Sequence, residues 1–65
     1  MNTATATISP TDYRWYDSHS DEALATIIER YTAQSAAMAG HPMADEAMAI
    51  ANAAWEQQVR RGLAA

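Results

Sequence analysis

The stretch Asp45–Leu63, DEAMAIANAAWEQQVRRGL, decides the fold class of this chain. Stepped at about 100° per residue, Ala47, Met48, Ala51, Ala54, Trp55, Gln58 and Val59 fall within one sector. Asp45, Ala49, Asn52, Ala53, Glu56 and Arg60 take the opposite side. That period belongs to an amphipathic α-helix, not to a strand. The sector is rich in small side chains and holds one large one, Trp55. Small residues let a second helix approach closely, and the indole is expected to fill the space beside them as the anchor of the core. Such a helix needs something to pack against.

The residues before it supply that partner. Ser20 is a favourable N-cap, and Asp21 and Glu22 suit the positive end of a helix dipole. From there Leu24, Ile27, Ile28, Tyr31, Ser35 and Met38 form a single stripe at helical spacing, running to about Ala39. Its back is smooth, with Ala25, Thr26, Ala33, Ala36 and Ala37 interrupted only by Glu22, Glu29 and Arg30. Gly40 offers a left-handed stop and Pro42 prevents continuation. Gly40-His41-Pro42 is a short connection, and short connections make antiparallel neighbours. The second helix starts at Pro42 or Met43, with His41 as its cap. It ends near Arg61, where Arg60 and Arg61 complement the dipole, Gly62 is a natural C′ residue and Leu63 can fold back onto the last turn.

The N-terminal part is harder to place. Met1 to Ser9 alternates threonine with alanine, but its apolar face is only Ala4, Ala6 and Ile8, so an extended or disordered arm is expected. Ser9-Pro10-Thr11-Asp12 has the form of a helix start, with Ser9 as the cap. About one turn follows, Tyr13-Arg14-Trp15-Tyr16, before Asp17-Ser18-His19-Ser20 interrupts. Folded across the helices as a lid, this turn would bury Trp15 and one tyrosine. Left outside, Tyr13, Arg14, Trp15 and Tyr16 are the residue types of a binding hot spot. The fold class is therefore all-α: an arm over 1–19, then an antiparallel helical hairpin over 20–65 with helices at about 20–39 and 43–61. Two helices leave apolar stripe uncovered, which predicts completion by oligomerisation or by a partner.

Composition narrows the function classes. Sixty-five residues make one small domain, and without cysteine neither a disulfide nor a thiolate zinc site can stabilise it. Eight acidic residues against four arginines give a net charge of −4, which disfavours nucleic acid and anionic membrane. No apolar run reaches the length of a membrane span, and the N-terminus lacks a signal-peptide layout, so the cytoplasm is the expected compartment.

No chemical motif emerges. His19 and His41 fall at opposite ends of the first helix, roughly 30 Å apart, too far to share a metal within one chain. Asp45 and Glu46 fit a first helical turn rather than an acid–base pair. No serine elbow or phosphate-cradling glycine loop is present. Met38, Met43 and Met48 cluster around the hairpin turn, where gap-filling explains them. No enzyme activity, cofactor or metal is expected.

The reading that remains is a small non-enzymatic interaction module: a regulator, adaptor or accessory subunit binding a larger protein. It is expected to self-associate as well. Its contacts would come from Tyr13, Arg14, Trp15, Tyr16 and the alanines Ala33 and Ala37. The alternative is a small acidic inhibitor, of the type carried by mobile elements, that mimics nucleic-acid charge or traps a small ligand between protomers. A mimic needs carboxylates in a regular stripe, and Asp21, Glu22, Glu29, Asp45, Glu46 and Glu56 form a poor one.

Overall fold

A computed structural model describes residues 8–63; the Thr/Ala alternation of residues 1–7 lies outside the described residues. A 3-10 turn, Tyr13–Tyr16, precedes two helices, α1 (Asp21–Ala37) and α2 (Pro42–Arg60). The helices pack against each other as a hairpin, and the turn packs on α2. Among the described residues there is no strand.

The helix boundaries follow from the signals in the sequence. The Ser20 hydroxyl accepts from the Ala23 amide at 3.0 Å and opens α1. Gly40, at φ +87°, turns the chain out of it. His41 caps α2 as expected, its Nδ1 accepting from the Met43 amide at 3.1 Å. At the far end the Leu63 amide donates to the Gln58 carbonyl at 2.9 Å and the Gly62 amide to Val59 at 3.0 Å, with Gly62 at φ +80°. These are the two bonds of a Schellman stop. One further bond closes the hairpin: the Ser35 hydroxyl donates to the Ala44 carbonyl at 2.9 Å, tying the last turns of α1 to the first turn of α2.

The start of the 3-10 turn differs from the expectation. Asp12, not Ser9, is its cap, accepting from the Arg14 amide at 2.9 Å. Ser9 instead closes a turn of its own, its carbonyl accepting from the Asp12 amide at 2.8 Å. Asp12 prevails because its carboxylate also takes the Arg14 guanidinium, which a hydroxyl at position 9 cannot do.

The stripe on α1 is the expected one: Leu24 is fully buried, and Ile27, Ile28, Tyr31, Ser35 and Met38 are partly so. On α2 the buried face is turned by about a quarter of the helix circumference from the predicted sector. Ala47, Ala51 and Ala54 are buried as expected, but their companions are Ala53 and Gln57. Trp55, expected to anchor the core, is 47% exposed, and Met48 and Val59 are exposed beside it. The reason is fit. α1 and the turn bring the large groups Leu24 and Tyr16, and α2 receives them on Ala53 and Ala54. A helix already offering bulk on the facing side needs small residues opposite, so the indole is left outside. Ala53 is only 4% exposed because the turn covers that flank of α2.

Candidate functional site

The turn lies on one side of the two-helix layer and is held there by polar bonds from the end of α2. Tyr16 is 2% exposed and donates from its hydroxyl to the Pro10 carbonyl at 2.6 Å. Burial raises its pKa above the usual phenolic value, and Tyr31 adds to the effect. Gln57, 7% exposed, donates from Nε2 to the Asp17 carboxylate at 3.2 Å. Arg61 reaches furthest. Its guanidinium meets Asp21 at 2.8 Å and donates to the backbone carbonyls of Tyr16 at 2.9 Å and Asp17 at 3.1 Å. Arg60 lies over the Tyr13 ring, 3.9 Å from its centroid, while bonding Glu56 at 3.2 Å.

These contacts divide the predicted recognition patch. Tyr16 belongs to the core and cannot offer a binding face, and Tyr13 is partly covered by Arg60. Arg14 is committed to Asp12 in a bidentate pair at 3.0 and 2.8 Å. That pair and the Arg14 amide hold the Asp12 carboxyl at a pKa of about 2. Trp15 stays 44% exposed, so the lid buries a tyrosine and not the tryptophan. Ala33 and Ala37 are exposed on the back of α1, away from the turn.

Beside Trp15 is a half-open apolar cleft of about 300 Å³, lined by Pro10, Tyr16, His19, Ile27, Tyr31 and Ile50 as well. The His19 ring packs at a tilt on Tyr16, with centroids 5.2 Å apart. Its Nδ1 is buried and has no hydrogen-bond partner among the described residues. Tyr16, packed between the turn and the helices, forms part of the cleft's wall. Among the described residues, no three His, Cys, Asp or Glu side chains converge as a metal site. No described helix is long and apolar enough to cross a membrane.

Among the described residues, no turn lies over the opposite side of the layer. There α2 presents Met48, Trp55 and Val59, spaced seven and four residues apart along one line of the helix. From α1 the exposed small residues Ala25, Thr32 and Ala36 share this side with the partly buried Ile28. Met48, Trp55 and Val59 belong to the sector that the sequence predicts to be packed. Of the clamp on the turn, Arg61 reads from the sequence as a dipole complement and Gln57 carries no assignment there. A signal is present: both fall between Ala53 and Ala54 in helical phase, and a polar group in the middle of a small-residue stripe implies a tertiary bond.

Comparison with protein-family models, with curated proteins and with solved structures gave no match to the chain.

Proposed function

We propose that the chain is a small non-enzymatic interaction module that acts by docking on a larger protein, as a regulator, adaptor or accessory subunit. The observation that carries this reading is the open side of the hairpin. A half-exposed tryptophan flanked by exposed methionine and valine is apolar surface that folding has left uncovered. Tryptophan is also the residue most enriched at binding hot spots. Three of the carboxylates are engaged by arginines, in the pairs Asp12–Arg14, Glu56–Arg60 and Asp21–Arg61. Two of them, Asp21 and Glu56, belong to the candidate acidic stripe, and their pairing weakens it in favour of docking over charge mimicry.

The test is differential capture from a lysate of the source cells, using the tagged chain and its Trp55→Glu variant. The expected result is a protein retained by the first and lost by the second, with both chains equally helical by circular dichroism. Identical captures would refute the reading.

A further inference from the structure

The open face is uneven along its length, and its two ends fit each other. We propose that in the free protein a second copy of the chain covers it, the two α2 helices lying antiparallel about a two-fold axis. This rests on the reading of the open side as a docking surface and makes the second copy the occupant that the larger protein displaces.

The first argument is shape. Toward the C-terminal end of α2 the face is high, with Trp55 47% exposed and Val59 exposed beside it. Toward the N-terminal end it is low. There the Ser35 hydroxyl bonds the Ala44 carbonyl at 2.9 Å, and the residues around that bond, Ala44, Ser35, Thr32 and Ala36, are all small. Ala44 and Ser35 are half-buried while Thr32 and Ala36 are exposed, so together they line a shallow hollow. Ala44 lies about 16 Å along α2 from Trp55 and within about 20° of the same line of the helix. Met48 follows Ala44 by four residues and Ala51 precedes Trp55 by four, so both pairs share one midpoint. A two-fold axis through that midpoint sets each Trp55 into the hollow at Ala44 of the other copy. It sets each Met48 over Ala51, the 3%-exposed floor between the helices. Large meets small at all four places, as an isologous contact requires. A parallel pair would press Trp55 on Trp55 and leave both hollows empty.

Area supplies the second argument. Two helices side by side, each about 10 Å across and overlapping for about 25 Å, give a face of roughly 500 Å² per copy. The pair then buries about 1,000 Å², the lower bound for a specific interface. That suits a reversible dimer with a dissociation constant on the order of 10 to 100 μM. Each copy keeps its own core of Tyr16, Leu24, Ala53 and Ala54, so at about 5 μM the folded monomer prevails.

The experiment is sedimentation equilibrium of the full chain from about 5 to about 500 μM. A reversible monomer–dimer equilibrium is expected. Trp55→Ala and Ala44→Trp should each remove it, the first by emptying the hollow and the second by filling it. Mixed together, the two variants should dimerise again, because every tryptophan at position 44 or 55 then faces an alanine. Circular dichroism checks that each variant is folded. Pulsed electron paramagnetic resonance gives an independent readout, since the chain has no cysteine of its own. Spin labels on Asn52→Cys should lie within about 20 Å of each other across the dimer, and those on Leu63→Cys about 35 to 40 Å apart. A monomer at every concentration would overturn the proposal, as would a dimer that Trp55→Ala leaves intact. So would folded variants that stay monomeric when mixed, or two short label distances, which mark a parallel pair. If the chain does not dimerise while differential capture still depends on Trp55, the docking reading stands and only the second copy is lost. A dimer with identical captures keeps this contact and refutes that reading.

Discussion

The two sides of the hairpin are built from opposite materials. On the covered side a tyrosine rests on alanines, and its turn is fastened by Gln57, Arg60 and Arg61. On the other side the largest apolar residue of α2 faces outward, with no element over it among the described residues. Hydrophobicity therefore does not choose the buried face of α2. Complementarity of size does: α1 and the turn supply bulk, and the only faces of α2 that can meet it are Ala47, Ala51, Ala53 and Ala54. The polar clamp then selects which flank the turn covers. What is left over is a surface suited to a partner.

The sharpest way to break this contrast is to hollow out the covered side. Leu24→Ala should lower stability by about 2 to 5 kcal/mol, since the side chain is fully buried and the space beside it cannot collapse onto alanines. Chemical denaturation monitored by circular dichroism measures it, and a loss below about 1 kcal/mol would mean that the core lies elsewhere.

Next comes the clamp. Arg61→Ala removes one ion pair and two bonds to backbone carbonyls. With Asp21 largely exposed, about 1 to 2 kcal/mol is expected from the same measurement. Amide exchange should rise at His19, whose amide donates to Tyr16, more than in the middle of α2. Uniform acceleration would assign Arg61 to the global fold and not to the turn.

Gly40→Ala tests the hairpin connection common to both sides. Space is open around the α-carbon, but φ +87° strains any other residue, so a loss of about 1 kcal/mol in the denaturation midpoint is expected.

Much of this was legible in the sequence. Ser20, Gly40, His41 and Gly62 mark the helix ends through local chemistry, which needs no tertiary knowledge. The α1 stripe was readable because its large residues all lie in one sector. On α2 the alanines fall on two arcs, Ala44, Ala47, Ala51 and Ala54 on one and Ala49 and Ala53 on the other, so Met48, Trp55 and Val59 dominated the pattern and pulled it toward the open side. Which alanines are covered depends on where the turn lands, and that is set by bonds spanning 40 residues or more, such as Gln57 to Asp17 and Arg61 to Tyr16. The division of the aromatic turn had the same cause. Tyr13, Trp15 and Tyr16 look alike as a sequence, and only the docking angle separates the buried tyrosine from the exposed tryptophan.

The smallest effect expected is a titration. The Asp12 carboxyl, held by Arg14, should protonate near pH 2 and not near 3.8. Its pKa is lowered in the folded state, so the contribution of the pair is present above 3.8 and is lost as pH falls through about 2. Carboxyl chemical shifts followed by NMR report the midpoint, and Arg14→Gln should return it toward 3.8.

The contrast between the two sides is tested most directly by placing the same charge on each. Urea denaturation of Ala53→Glu and Trp55→Glu should give midpoints far apart. Ala53→Glu buries a carboxylate under Tyr16 and should leave the chain largely unfolded, while Trp55→Glu should stay within about 0.5 kcal/mol of the parent. The reverse order, with Ala53→Glu tolerated and Trp55→Glu unfolded, would make the tryptophan side the core and remove the open docking face.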